Sequence, residues 1–170
     1  MQSSPLLTVS GTSVTNQAMT QSSTTLWTYA FNTSGLSSGT YIVTVAATDT
    51  ISRALASNVS LTLITETTPP TVTHQLSQAT PYLNASDIVT YTATFSEPMA
   101  ATPTIDINGE GYETLAHQSD DEVWTYYIDM STYTGTQGAL TVTVSGTDKF
   151  GNAYAAGPEI FAVQVDTKLP

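Results

Sequence analysis

The sequence predicts an all-β chain of tandem β-sandwiches, one complete and one lacking its first two strands, and three observations carry that prediction. Apolar residues alternate with threonine at a period of two along most of the chain, the pattern of strands with one buried and one wet face. Turn-forming residues cluster between these runs at short intervals. The second half repeats the first at a spacing of roughly 100 residues, a domain-sized period much longer than the roughly 20 to 50 residues of solenoid or propeller units.

In the complete repeat, placed at residues 70–170, a first strand is predicted at Thr71 to Leu76. The rows that follow each put apolar side chains on one face: Val89, Tyr91, Ala93 and Phe95, then Ile105 and Ile107. A short strand is expected near Glu113 to His117, before the rows Trp124-x-Tyr126-x-Ile128, Leu140-x-Val142-x-Val144 and Phe161-x-Val163-x-Val165. Thr90, Thr92, Thr94, Thr125, Thr141 and Thr143 take the outer face, where a β-branched hydroxyl favours the strand and stays wet. Turns are expected at Ser96 to Thr102, Asn108 to Gly111, Thr132 to Gly138 and Asp148 to Gly157. About seven short strands in roughly 100 residues, without helices, describe an immunoglobulin-like β-sandwich. With no cysteine pair present, Trp27 and Trp124 read as core aromatics, each opening an inward row.

The register of the repeat fixes the first copy. Met1 to Gly11 aligns without a gap on Met99 to Gly109, Trp27-Thr28-Tyr29 returns as Trp124-Thr125-Tyr126, and Thr48-Asp49 returns as Thr147-Asp148. Residues 1–69 therefore hold only the later strands, C to G, and Met1 reads as an interior position. The missing pair, equivalent to Thr71 to Phe95, is expected to come from preceding residues or another chain, because an incomplete sandwich exposes an apolar face and open edges.

Composition narrows the partners. Fourteen acidic residues against three basic ones (Arg53, Lys149, Lys168) give a net charge of -11, which repels nucleic acid and anionic lipid and favours cations. No apolar run approaches a membrane span.

Several motifs occur in order: Thr94-Phe95-Ser96-Glu97-Pro98-Met99 followed by Thr102-Pro103-Thr104-Ile105, Val123-Trp124-Thr125-Tyr126, Gly146-Thr147-Asp148-Lys149-Phe150-Gly151-Asn152-Ala153-Tyr154, and the junctions Glu66-Thr67-Thr68-Pro69-Pro70 and Asp166-Thr167-Lys168-Leu169-Pro170. This ordered set resembles the tandem bacterial immunoglobulin-like (Big-type) repeats of large Gram-negative cell-surface adhesins. The resemblance implies an extracellular, non-catalytic extender or adhesive region of a secreted or surface protein. Its partners would be neighbouring repeats of the same chain and surface glycans or other cell-surface proteins. The first copy departs from the pattern where Thr50-Ile51-Ser52-Arg53 replaces the Gly-Asn turn.

Strand order also sorts the loops. Glu97, Asp120, Asp121, Asp148 and Asn152 are expected at one pole of the complete sandwich, together with Glu66 from the preceding copy. Ca²⁺ takes six to eight oxygen ligands from carboxylates, amides, carbonyls and water. Glu66, Glu97, Asp148 and Asn152 are accordingly the candidate metal ligands. The plainer alternative makes Asp148 and Asn152 turn residues that hold nearby backbone amides.

Catalysis has little in its favour: His74 and His117 are far apart in sequence and neither neighbours a nucleophile motif, and two histidines without cysteine do not make a zinc site. The threonine rows read as strand propensity, and the triplets Asn32-Thr33-Ser34, Asn58-Val59-Ser60 and Asn84-Ala85-Ser86 as chance matches to a glycosylation pattern. Alternatives to the extender are a carbohydrate-binding or accessory module of a secreted enzyme, for which Tyr82, Tyr112, Tyr127, Tyr133 and Tyr154 are the residues to inspect, and a filament subunit completed by strands of another chain.

Overall fold

The computed structural model describes residues 4–49, 51–55, 57–78, 81–118 and 120–168. The expectations placed on Met1, Thr50, Leu169 and Pro170 lie outside these. The chain divides into two units, Met1–Thr67 and Thr68–Pro170, and the described residues of both are strands and turns without a helix.

The second unit is a two-sheet sandwich. Strands β7 (Val72–Leu76), β9 (Ile88–Phe95), β12 (Ala116–His117) and β13 (Val123–Asp129) form one sheet in the order β12-β13-β9-β7. The other runs β11 (Tyr112–Thr114), β10 (Thr104–Ile107), β14 (Gly138–Ser145), β15 (Glu159–Val165) and β8 (Tyr82–Leu83). Period-two alternation decides which side chains meet between them. Val89, Tyr91, Ala93 and Phe95 of β9, Trp124 and Ile128 of β13, and Leu140, Val142 and Val144 of β14 form one buried cluster with Ile105, Val163 and Val165. Phe95 and Tyr91 meet Tyr154 and Phe161 edge to face, with centroids 6.2 Å apart in both pairs, the arrangement the ring quadrupole favours.

Three details depart from the expected strands. The segment Glu113 to His117 is two strands, because the chain crosses from one sheet to the other at the buried Leu115, whose amide donates to the Pro103 carbonyl. Thr125 is buried: β12 covers it through the Ala116 pairing, and its Oγ1 accepts from Gln118 Nε2 at 2.8 Å. Two residues, Tyr82 and Leu83, form β8 parallel to the end of β15, too short a strand to show a period of its own.

The first unit contains β1 (Leu6–Val9), β2 (Gln17–Ala18), β3 (Thr20–Gln21), β4 (Trp27–Thr28), β5 (Gly39–Ala46) and β6 (Val59–Thr65). Its sheet order β2-β1-β5-β6 repeats β11-β10-β14-β15, while β3 and β4 pair alone. Directly opposed residues share a face, so the register puts Leu7, Val9, Val43, Val45, Val59 and Leu61 together. Of these only Leu7 and Val9 are buried, and Val59 and Leu61 stay 64% and 68% exposed. Among the described residues of this unit nothing corresponds to β7 and β9, and Trp27, expected in a core, is only half-buried.

Candidate functional site

The end of the second unit that carries the β9 to β10 turn is knitted by its loops. Met99 bridges Asp148, its amide donates to the Asp121 carbonyl, and the Ala100 amide donates to Thr147. Three loops thus converge: the β12–β13 and β14–β15 hairpins and the β9–β10 connection, which crosses from one sheet to the other.

Asp148 organises this end. Its Oδ1 accepts from the amides of Phe150 at 2.7 Å and Asn152 at 2.9 Å, and its Oδ2 accepts from Asn152 Nδ2 at 2.8 Å. The side chain is fully buried. Burial pushes its carboxyl up, but the donors of Asn152, Phe150 and Gly151 outweigh that and hold it below the ordinary aspartate value. Gly151, at φ +95°, takes the left-handed turn position that closes the ring of donors.

The four candidate ligands are distributed as follows. Glu97, Asp148 and Asn152 meet in the second unit, with carboxylate oxygens of Glu97 and Asp148 within 4.8 Å. Glu66 ends the first unit, where its Oε1 accepts from Ser38 Oγ at 3.4 Å. The acids Asp120 and Asp121 of the same pole are engaged otherwise. Asp120 Oδ1 accepts from the Val123 amide at 3.0 Å, and Asp121 accepts from Lys149 Nζ at 2.7 Å, which holds its carboxyl below the usual range. As to fit, the oxygens of Glu97 and Asp148 are the hard donors that Ca²⁺ takes, but Asp148 already receives three hydrogen bonds; backbone carbonyls or water would have to supply most of a shell.

The first unit rebuilds the same turn from different residues. Asp49 Oδ1 accepts from the amides of Ile51 at 3.0 Å and Arg53 at 2.9 Å, and Oδ2 from Arg53 Nε at 2.8 Å. Ser52, at φ 65°, stands where Gly151 does. The substitution of Thr50-Ile51-Ser52-Arg53 for the Gly-Asn turn thus leaves the aspartate-centred ring of donors in place.

Both histidines are engaged by neighbouring side chains. His74 Nδ1 lies 2.5 Å from Tyr91 Oη and Nε2 lies 3.4 Å from Tyr154 Oη; burial lowers the His74 pKa and raises that of Tyr91. His117 packs edge-on against Trp124 with centroids 5.0 Å apart and pairs with Asp121 at 3.3 Å. Of the five tyrosines named for sugar binding, Tyr82, Tyr112 and Tyr127 are exposed, but they form no shared platform: β8 and β11 are opposite edges of one sheet, and Tyr127 lies on the other. Tyr133 is half-buried, with its hydroxyl held by Asn108 Nδ2 and donating to the Thr136 carbonyl. Asn108, at φ 54°, also receives the Thr141 amide on Oδ1 at 2.6 Å; the Asn-Gly dipeptide signals the turn in sequence, but nothing there signals this hub.

A solved structure of fibronectin(III)-like modules of CbhA from Clostridium thermocellum is similar over 98% of this chain and 78% of its own, at 15% identity and a TM-score of 0.39. No curated protein matches. The family described as bacterial Ig-like domain (group 3) matches residues 25–160, spanning most of both units. This chain therefore belongs to the group 3 bacterial Ig-like domain family.

Proposed function

We propose that the chain is a non-catalytic, repeated extender of a large secreted or cell-surface bacterial protein, projecting a binding tip or presenting weak adhesive contacts. The observation that carries the reading is structural repetition: both units share the strand order of one sheet and one aspartate-centred turn. A module kept for its scaffold repeats such features, whereas a catalytic domain concentrates chemistry in one copy. Localisation is tested by protease shaving of intact cells of the native producer, followed by immunodetection of residues 68–170. Release of the epitope from intact cells is expected; an epitope found only after lysis would overturn the proposal.

Calcium belongs to the same proposal, with Glu97, Asp148 and Asn152 as donors in the second unit and Glu66 as the donor the sequence adds. Extracellular Ca²⁺ sites of about 10⁻⁴ to 10⁻³ M affinity would add on the order of 1 kcal/mol at millimolar calcium. Calorimetric titration of the full chain, with Glu97→Gln as control, tests this. Absence of both heat and thermal shift at about 10 mM Ca²⁺ removes the metal and leaves the extender intact.

A further inference from the structure

A cavity of about 260 Å³ opens in the second unit beside the uncovered end of β13. β12 pairs with Trp124 and Thr125, so among the described residues β13 from Tyr126 onward has no strand on that side, and the gap to β10 and β11 stays open. Ile107 and the buried Ile128 line it, Tyr126, Tyr127 and Tyr133 add aromatic surface, and Glu110, Glu113 and Asp129 supply the charge. Among the described residues, no lysine or arginine lines it.

The walls are fixed in place. The turn from Asn108 to Gly111 holds three left-handed residues, Asn108, Gly109 and Gly111, and the Gly111 amide donates to Asp106 Oδ1 at 3.1 Å. Glu110 accepts from Thr134 Oγ1 at 3.4 Å, and a Cβ on Gly135 would stand 2.7 Å from the Glu110 carboxyl carbon and 2.5 Å from Tyr133 Oη. Gly135 therefore lets the Tyr133 ring and the Glu110 carboxylate close over the backbone. Asp129 Oδ1 is oriented by the amide and hydroxyl of Ser131, at 2.9 and 2.6 Å. The Tyr133 hydroxyl is committed to Asn108 and Thr136, so its ring is what it has left to offer a ligand.

We infer that this cavity binds an organic cation, an alkylammonium or alkylguanidinium group such as a lysine or arginine side chain. Carboxylates at the rim attract the charge, tyrosine faces stabilise it through their quadrupoles, and the isoleucines take the alkyl stem. The negative field reaches the walls: after burial itself, Glu113 raises the Tyr126 pKa, and Glu110 adds to the rise at Tyr133. A neutral sugar gains nothing from that field and finds the Tyr133 hydroxyl already engaged.

The test is an NMR titration of the ¹⁵N-labelled full chain in EDTA with N-acetyl-lysine methylamide, N-acetyl-arginine methylamide and the neutral norleucine analogue. Expected are saturable shifts confined to the amides of Gly111, Tyr127 and Thr132 with at least one cationic probe. The exposed double variant Glu110→Gln/Asp129→Asn should weaken them about fivefold to tenfold, and Tyr127→Leu about twofold to threefold. The inference is overturned by equal binding of norleucine, by shifts scattered over the acidic surface and unchanged in the double variant, by a neutral oligosaccharide occupying the same amides, or by no saturation up to about 50 mM.

Discussion

Arg53 Nε donates to Asp49 Oδ2 at 2.8 Å, the same distance at which Asn152 Nδ2 donates to Asp148 Oδ2. The two units thus close one turn with a cation in the first and a neutral amide in the second. A carboxylate already facing a guanidinium has less to offer a metal ion, so any calcium response should come from the second unit.

Asp148→Ala is expected to destabilise the second unit by about 2 kcal/mol, because two part-buried backbone amides lose their acceptor. For a domain of this size that is a fall in melting temperature of roughly 10 °C. Calorimetry of the full chain, with Asp49→Ala as a partner variant, measures it; the half-buried Asp49 should respond less than the fully buried Asp148.

Gly151→Ala isolates backbone strain. Gly151 sits at φ +95° with nothing within 4 Å of an added Cβ, so no clash confuses the result. A loss of about 1 kcal/mol is expected from the left-handed conformation alone. Ser52→Gly, at φ 65° in the first unit, should shift stability the other way in denaturant titration.

Acidification should weaken the second unit before its carboxylates titrate. Burial holds the His74 pKa below its model-compound value of 6.5, so the unfolded chain binds the proton more readily than the folded one. The stability this carries is whole above pH 6.5 and is lost as pH falls through the lower folded value. Urea midpoints between about pH 5 and 7.5 should therefore drop toward acid, and His74→Gln should flatten the slope.

Trp124→Ala should cost about 3 to 5 kcal/mol, as expected for a large aromatic leaving a packed core. Trp27→Ala should cost clearly less, since Trp27 sits half-buried on the isolated β3–β4 pair. Differential scanning calorimetry of each variant beside the parent chain, which registers the loss in whichever unit carries the substitution, separates the two.

These contrasts mark what the sequence could express. Rows such as Val89 to Phe95 and Leu140 to Val144 were legible because alternation directly encodes which face is buried, and the fold class followed from them. Trp27 was misplaced because its local pattern matches that of Trp124, and burial depends on strands that local pattern does not contain. The division of Glu113 to His117 was hidden for a related reason: a sheet crossing at Leu115 requires knowing which neighbour each half pairs with. At the candidate site, Asp148 and Asn152 were visible as turn chemistry. The cavity beside β13 was not, because a gap between sheets is made by the shortness of β12 rather than by any residue in it.

The two-residue strand β8 has a consequence for a chain under tension. It is the early strand of its sheet, runs parallel to the last strand, β15, and is joined to it by the Gln164 amide to the Pro81 carbonyl at 2.8 Å and the Asp166 amide to Leu83 at 2.9 Å. Pulling the two ends of the unit apart drags these strands lengthwise past each other. The bonds are then loaded in shear, together, instead of being unzipped one after another, and the small patch that joins the earliest strand of this sheet to its last becomes the clasp that must slip before the sheet can open.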